Sequence, residues 1–298
     1  MQNDKTTQSY LHLHLIVFIW GFTAILGALI SLEALPLVWY RMLFASCFIF
    51  LFILVKRYSL KVSKKLLISF LFAGLIIALH WLTFFKAIKE SNISVTLACL
   101  ATGAFFTSIL EPIFYKRKII WYEVGFGLIV ILGLYIIFKV EGQYIYGIIL
   151  ALTSAFLSAL FSVINGKFAK LYNPTIISFY EILGGVLFLS IYLLFTQSFT
   201  PGFFQLSFDD FKWLLLLSSV CTAYAFIASV GIMKFLSPYT VMLTINLEPI
   251  YGIVLALLIF NDKEKMSFEF YIGAFIILMT VILNGILKNK KIVKKDSE

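Results

Sequence analysis

Residues 66–87 read LLISFLFAGLIIALHWLTFFKA and follow the basic pair Lys64-Lys65. As an α-helix, a run of this length extends for about 33 Å, slightly more than the roughly 30 Å hydrocarbon core of a bilayer. The rest of the 298-residue chain has the same character, with 61% hydrophobic and 13% charged residues, whereas about a quarter of a soluble domain is charged. Lipid must therefore be the solvent for most of this chain, and the sequence predicts an integral membrane protein.

Polar clusters divide the sequence into ten apolar stretches of similar length. Each stretch has about the 20 residues that a helix needs to cross the bilayer. We therefore predict an all-α membrane protein with ten transmembrane helices. The predicted spans are residues 11–32, 36–55, 66–87, 93–114, 121–138, 146–167, 174–195, 211–234, 239–260 and 269–287.

The distribution of lysine and arginine predicts the orientation of these spans. If the N-terminus is cytoplasmic, 17 of the 24 basic residues fall on the inner side, six fall on the outer side and Arg41 lies within a span. Cytoplasmic loops carry an excess of Lys and Arg. We therefore expect a multi-pass protein of the cell membrane with both termini in the cytoplasm. The same bias accounts for the net charge of +9, and we expect no nucleic-acid partner.

The two halves of the sequence resemble each other. Tyr40-Arg41 corresponds to Tyr180-Glu181, each pair lying shortly after a proline. Residues 87–89 correspond to residues 232–234, at an offset of 145. A unit of five spans crosses the bilayer an odd number of times, so two such units in one chain are inverted relative to each other. The sequence therefore predicts an inverted 5+5 repeat.

We place the first repeat at residues 1–140 and the second at residues 141–298. Inverted repeats are a recurring design of secondary transporters, with the solute site near the bilayer midplane between the repeats. The predicted architecture therefore indicates transport by alternating access.

The order and spacing of several motifs resemble the EamA-like, ten-helix branch of the drug/metabolite transporter superfamily. The resemblance covers about residues 11–287 and is carried by Trp20-Gly21-Phe22, Pro36 with Arg41, Phe84–Ile88, Asn246-Leu247-Glu248-Pro249 and Tyr271-Ile272-Gly273-Ala274. The chain departs from the family pattern at Ala104, where members often have a proline. The resemblance implies a ten-helix fold and the movement of small metabolites, such as amino acids, amines, nucleobases or drugs, usually without ATP.

Charged side chains within the spans are few, and each one costs about 2.5–3.5 kcal/mol to insert at the bilayer centre. Glu248 is predicted close to the midplane beside Pro249, and Arg41 roughly 7 Å to the outer side. Arg41 is a candidate clamp for a substrate carboxylate, and the alternative is a structural pair with Glu248 or with a tyrosine such as Tyr40. Glu248 is a candidate for substrate or proton binding, and its alternative is a hydrogen-bonded acid at a helix kink.

His80 can change charge near neutral pH, which suits proton coupling, although a lone histidine in a membrane also serves as a hydrogen-bonded structural group. Large aromatic side chains within the spans are candidate cavity walls. The candidate substrate-binding residues are Trp20, Arg41, His80, Trp81, Tyr180, Glu181, Tyr224, Asn246 and Glu248.

Several motifs of other functions are absent from the sequence. It contains no GxxxxGK[ST], HExxH or GxSxG motif, and its three histidines and three cysteines form no metal-binding pattern. We therefore expect no cofactor, no metal site and no enzymatic activity.

The function predicted from the sequence is a secondary transporter that exports a small metabolite, such as an amino acid or a derivative. Its partners would be that solute, the lipid bilayer and protons as the candidate coupling ion, with Glu248 or His80 as carrier; facilitated diffusion is the alternative drive. The rival functions are an intramembrane or lipid-processing enzyme and a pore. The sequence leaves the oligomeric state open.

Overall fold

The computed structural model describes residues 2–116, 118 and 121–295, and within these residues the chain is helical, with no strand. We number the α-helices in chain order. They are α1 (Gln2–Leu29), α2 (Ala34–Lys56), α3 (Lys64–Glu90), α4 (Ile93–Leu100), α5 (Gly103–Tyr115), α6 (Trp121–Val140), α7 (Ile145–Phe168), α8 (Pro174–Phe195), α9 (Phe208–Ser218), α10 (Ala225–Ile232), α11 (Pro238–Ile245), α12 (Glu248–Phe260) and α13 (Phe268–Lys295).

Three pairs of these helices form one membrane crossing each, namely α4 with α5, α9 with α10, and α11 with α12. Among the described residues, eight crossings are long and apolar enough to span a bilayer, and two shorter apolar stretches, Gly125–Val140 and Phe268–Thr280, lie in α6 and α13. The predicted all-α fold of ten transmembrane helices in an inverted 5+5 repeat is confirmed. Leucine, isoleucine and phenylalanine side chains are exposed along the outside of the bundle, as expected where lipid is the solvent.

Successive crossings connect at alternating ends of the bundle. The basic end carries the connections 57–63, 169–173 and 233–237, and the opposite end carries 30–33, 91–92, 141–144, 196–207 and 261–267. A hydrogen bond from the Tyr180 hydroxyl to the Leu60 carbonyl, 2.7 Å long, joins the two repeats at the basic end.

The internal repeat is visible in the helix starts. Asn92 caps α4 by accepting a hydrogen bond from the Val95 amide at 2.8 Å. Ser237 caps α11 by accepting one from the Thr240 amide at 3.1 Å, and it lies 145 residues after Asn92. Side-chain oxygens at these positions satisfy amides that the first helical turn leaves without a partner. The offset read from the sequence therefore relates equivalent backbone positions.

The helix ends repeat in the same way. Four residues other than glycine have positive φ among those described, at Arg57, Lys116, Gln197 and Asn261. Lys116 and Asn261 are 145 residues apart, and Arg57 and Gln197 are 140 apart, which is the offset between Arg41 and Glu181. Left-handed residues terminate helices by turning the chain away from the axis.

Both repeats also break their fourth crossing at the same place. Ala101-Thr102 separates α4 from α5, and Asn246-Leu247 separates α11 from α12, again 145 residues later. Only the second break has a nearby proline, Pro249. In the first repeat, the Thr102 amide and hydroxyl both donate to the Cys99 carbonyl, at 3.1 and 2.7 Å. This short-range bonding ends α4 without proline. The sequence pattern therefore does not predict the break between α4 and α5.

The helix α3 lies at the centre of the bundle and packs along both α7 and α8. Its crossing with α8 is close because Gly74 faces the backbone of Glu181, and a Cβ atom at residue 74 would collide with the Glu181 carbonyl oxygen. Gly184 faces Leu71 at the same crossing. Small residues allow helix backbones to approach within a membrane.

We expect Gly74→Ala to lower the free energy of unfolding by about 1–3 kcal/mol, because the added methyl must push α3 away from α8. The matched control is Gly125→Ala in α6, where a Cβ meets no atom within 4 Å and the helix propensity of alanine applies. Thermal unfolding of both variants in detergent checks this. A Gly74 variant as stable as the control would contradict the close crossing.

Candidate functional site

A cavity lies inside the bundle between α1, α3, α7, α10 and α11. It encloses about 770 Å³, including its open mouth, and most of its wall is apolar. Five of the nine candidate residues line it, namely Trp20, Arg41, His80, Trp81 and Glu248.

The cavity extends from the middle of the bundle toward the basic end. Met233, which follows the last residue of α10, and Val241, in the first turn of α11, both contribute to its wall. Trp20 and Thr23, in the second half of α1, line the inner part. The cavity is therefore nearer to the basic end than to the opposite end.

Arg41 is 1% exposed and lies on α2 with its guanidinium over the Trp81 ring, 3.8 Å from the ring centroid. Its Nε donates to the Thr222 hydroxyl at 2.8 Å. The cation over the aromatic face and the hydrogen bond both offset the cost of removing the charge from water. Nη1 has no hydrogen-bond partner among the described residues, so the guanidinium keeps bonding capacity beyond Nε.

A π-helical segment between α9 and α10, Ser219–Tyr224, supports Arg41. The Thr222 hydroxyl donates to the Leu217 carbonyl at 2.7 Å, five residues back, and its lone pairs remain available for Arg41. The Cys221 carbonyl accepts from Trp20 Nε1 at 3.1 Å. The wider turn shifts the helical register at this point, and π-segments of this kind often occur at functional sites.

Glu248 is 6% exposed and begins α12 directly after the break in the ninth crossing. Side-chain ion pairs within 4.0 Å among the described residues join Lys86 to Glu90 and Lys212 to Asp209. Arg41 and Glu248 therefore share the cavity without forming an ion pair.

Tyr40 does not pair with Arg41 either. Its hydroxyl donates to the Phe203 carbonyl at 3.1 Å. The two structural pairings considered for Arg41 from the sequence thus give way to contacts with Thr222 and Trp81.

His80 is held by α7. Its Nδ1 lies 2.8 Å from the Ser154 hydroxyl and 2.9 Å from the Ser154 carbonyl. The same hydroxyl donates to the His80 carbonyl at 3.0 Å. Because a hydroxyl has a single hydrogen, Nδ1 is the donor of the neutral ring, and Nε2 is left as the acceptor. His80 thus fixes α3 against α7 and presents its ring to the cavity.

The other four candidate residues lie outside the cavity wall. Tyr180 bonds the Leu60 carbonyl at the basic end, and Glu181 is fully buried and accepts from Asn165. Tyr224 is 45% exposed and shares a 2.8 Å hydrogen bond with His12. Asn246 is buried at the break between α11 and α12.

Sequence reasoning overlooked a polar face on α7. Ser154, Ser158, Ser162 and Asn165 recur at helical spacing within an apolar helix, and Ser158 and Ser162 line the cavity. The signal was available, because residues three and four apart share a helix face. Among the described residues, no three His, Cys, Asp or Glu side chains lie close enough to hold a metal ion.

A ten-helix bundle with repeat-related helix breaks and a cavity at mid-membrane is the architecture of a membrane transporter. The chain belongs to the EamA-like transporter family, whose profile matches residues 8–139 and 145–286. It is 24% identical over 235 residues to the uncharacterized transporter YxxF of Bacillus subtilis (strain 168), covering 76% of this chain and 73% of that protein. A crystal structure of another protein shares the fold, with a TM-score of 0.68 at 13% identity over 94% of this chain and 98% of that one.

Thr222→Val replaces the hydroxyl by a methyl of similar shape and leaves Arg41 Nε without its acceptor. We expect the free energy of unfolding to fall by about 1–3 kcal/mol, the cost of an unsatisfied buried polar group. Thr83→Val is the control, since that hydroxyl bonds only carbonyls of its own helix. Chemical unfolding of both variants in detergent measures the difference, and equal stability would show that Thr222 does not hold Arg41.

Proposed function

We propose that this protein is a secondary transporter that exports a small zwitterionic solute, such as an amino acid or a derivative, across the cell membrane by alternating access. The observation that carries the proposal is the pair of opposite charges in one aromatic cavity, Arg41 and Glu248, without an ion pair between them. Each keeps bonding capacity for a ligand.

The binding mode follows from the chemistry of these groups. A planar guanidinium with unused N–H groups binds a carboxylate through parallel hydrogen bonds. Glu248 accepts hydrogen bonds from an ammonium group, and Trp20 and Trp81 supply apolar surface for the remainder of the solute. His80 offers an acceptor through Nε2. Tyr180, Tyr224 and Asn246 take no part in this binding mode.

Alternating access requires the cavity to close toward one side, and the opposite end carries two carboxylates that join the repeats. Asp210, in the first turn of α9, accepts from both the Ser31 amide and the Ser31 hydroxyl at 2.7 Å. Ser31 lies directly after α1 and therefore in the first repeat. Hydrogen bonds to a charged acceptor are about twice as strong as neutral ones.

Glu264 makes the second link between the repeats. Its oxygens accept from the Ile93 amide at 3.1 Å and from the Ser94 amide at 2.9 Å. The Ser94 hydroxyl also donates to it at 3.0 Å. These amides belong to the start of α4, where the helix dipole favours a negative charge. We call Asp210 and Glu264 the carboxylate latches.

Together these features describe a conformation that is closed at the opposite end and extends its cavity toward the basic end. We propose that the basic end faces the cytoplasm, with both termini there, because lysine and arginine concentrate on that side. We also propose that residues 1–140 and 141–298 form the two repeats and rock against each other around the cavity. Protons are the proposed coupling ion.

The rival proposal of an intramembrane enzyme needs reactive groups gathered at one place. Glu181 is hydrogen-bonded to Asn165, whereas Glu248 lines the cavity. These two buried acids therefore do not form a paired catalytic site. Transport and chemistry are distinguished by the fate of the solute, since a transporter releases it unchanged.

The proposal is tested with purified protein in liposomes that contain a mixture of unlabelled amino acids, with the corresponding labelled mixture outside. We expect saturable counterflow of chemically unchanged amino acids. Arg41→Gln should reduce this counterflow at least about tenfold, because losing a charged hydrogen bond costs about 1.5–3 kcal/mol. Lys212→Gln is the control, since that lysine pairs with Asp209 on the surface.

Counterflow in the Arg41→Gln variant equal to that of the control would contradict the carboxylate-clamp role. Absence of counterflow in the unaltered protein, or chemical conversion of the solute, would contradict the proposed function itself.

Asp210→Ala removes one carboxylate latch, and we expect it to open the opposite end more often. The measurement is the rate at which a membrane-impermeant maleimide, added only on the side of the opposite end to protein in intact membranes, reaches a cysteine placed at Thr23 after the three natural cysteines are replaced by alanine. Loss of charged hydrogen bonds worth about 1.5–3 kcal/mol predicts an increase of about tenfold or more. Asp209→Ala is the matched control, because that neighbouring acid is exposed and pairs with Lys212. Equal rates in the two variants would show that Asp210 does not hold this end closed.

A further inference from the structure

Glu181 is a fully buried acidic residue of the second repeat and lies where α8 packs against α3 of the first repeat. It lies on α8 with no exposed surface, and its backbone carbonyl is covered by Gly74 of α3. Its Oε1 accepts one hydrogen bond, from Asn165 Nδ2 of α7 at 2.9 Å. A bare carboxylate in such a place would carry a large desolvation cost, so the surroundings must either neutralise the charge or bind a proton.

The charged groups on neighbouring helices do not neutralise it. Arg41 and His80 are directed to the cavity, where their partners are Thr222 and Ser154. The remaining lysines on the packed helices lie at helix ends, and α10 has no titratable residue. The titratable groups on α2, α3, α7 and α8 are Tyr40, Arg41, Cys47, Lys56, Lys64, Lys65, His80, Lys86, Lys89, Glu90, Tyr146, Lys167, Tyr180 and Tyr192. No described ion pair or hydrogen bond joins any of them to Glu181.

The Glu181–Asn165 pair is complementary to a neutral acid. Glu181 Oε2 and Asn165 Oδ1 are both buried, and neither has a described hydrogen-bond partner. Asn165 already donates to Oε1. If Oε2 carries a proton, it supplies the one donor that Asn165 Oδ1 lacks, and the carboxyl and carboxamide groups form a two-bond pair. An ionised Glu181 would leave both oxygens without a donor, which costs about 1–3 kcal/mol for each buried group.

A polar face connects this pair to the cavity. Asn165 is one turn from Ser162 on α7, and Ser162 and Ser158 line the cavity wall. On α8, Ser178 lies one turn from Glu181 toward the basic end, and its buried hydroxyl has no described partner. Each hydroxyl can donate and accept a hydrogen bond, so water molecules between these groups would complete a path for protons. The pair therefore lies beside the cavity, in the half of the bundle nearer to the basic end.

We propose that Glu181 and Asn165 form the proton-binding site of this protein, separate from the solute cavity and joined to it by the serines of α7. In the conformation described, the carboxyl holds the proton and the Asn165 amide stabilises the neutral acid. When water reaches the pair along the serines, the proton leaves and the carboxylate is hydrated. This role rests on the proposed transport function and assigns the proton to Glu181, where the sequence pointed to Glu248 or His80.

Infrared difference spectroscopy tests the protonation without any solute. At neutral pH we expect the carbonyl stretch of a protonated carboxylic acid in the unaltered protein and its loss in Glu181→Gln, which keeps the hydrogen-bonding shape of the neutral acid. Asn165→Leu should shift this band, because the amide partner is removed. Glu90→Gln is the control, since that partly exposed acid is ion-paired with Lys86 and contributes only a carboxylate band. If Glu181→Gln instead loses carboxylate intensity relative to the unaltered protein and keeps the acid band, Glu181 is ionised and the proposal is overturned.

Proteoliposomes with an imposed difference of one pH unit test the coupling. One proton per solute predicts about tenfold accumulation of the labelled amino-acid mixture. Glu181→Gln should lose this accumulation and keep counterflow at equal pH, whereas Glu90→Gln should keep both. Accumulation by Glu181→Gln equal to that of the unaltered protein would overturn the coupling role. Absence of all flux would count against the transport function alone, because the infrared result decides the proton site independently.

Discussion

A polar group inside a bilayer has no water to bond, so the protein itself must satisfy it. Arg41 is the most demanding case, because a guanidinium keeps its charge in proteins. The Trp81 ring and the Thr222 hydroxyl meet part of this demand, and the π-helical segment of the eighth crossing places Thr222 where it is needed. The cavity is built around the bonding capacity that remains. A ligand anion would complement that capacity, which is the basis of the carboxylate-binding role proposed for Arg41.

The two repeats share a backbone plan but not its chemistry. Caps, helix breaks and left-handed helix ends recur at offsets of 140 and 145 residues. The same offsets relate Arg41 to Glu181 and Trp20 to Asn165. In the first repeat these positions give an aromatic and a cation at the cavity, and in the second they give a closed carboxyl–amide pair. We propose that equivalent positions in the inverted halves thus supply a solute site and a proton site at different depths.

The structure also relates the cavity to the closed end of the bundle. The cavity extends toward the basic end, while Asp210 and Glu264 join the repeats at the opposite end through amides and hydroxyls. These bonds are few and lie at helix termini, whereas α3 of the first repeat packs along the length of α7 and α8 of the second. In the proposed mechanism the repeats would pivot about the packing of α3 on α7 and α8, and the few bonds at the opposite end would break and reform.

The sequence by itself determined the solvent, the number of crossings and the offset between the repeats, because these follow from the length of apolar runs and the spacing of motifs along the chain. It also indicated Trp20, Arg41, His80, Trp81 and Glu248 as candidates. A polar group in an apolar span needs a bonding partner or a cavity, and a large aromatic side chain can form a cavity wall. Only the tertiary structure decided which of the candidates meet. Tyr180 and Tyr224 bond elsewhere because their helix faces turn away from the cavity. The π-helical segment at Thr222 is held by Arg41 and Trp20, which lie far away in the sequence, and no local pattern encodes those contacts.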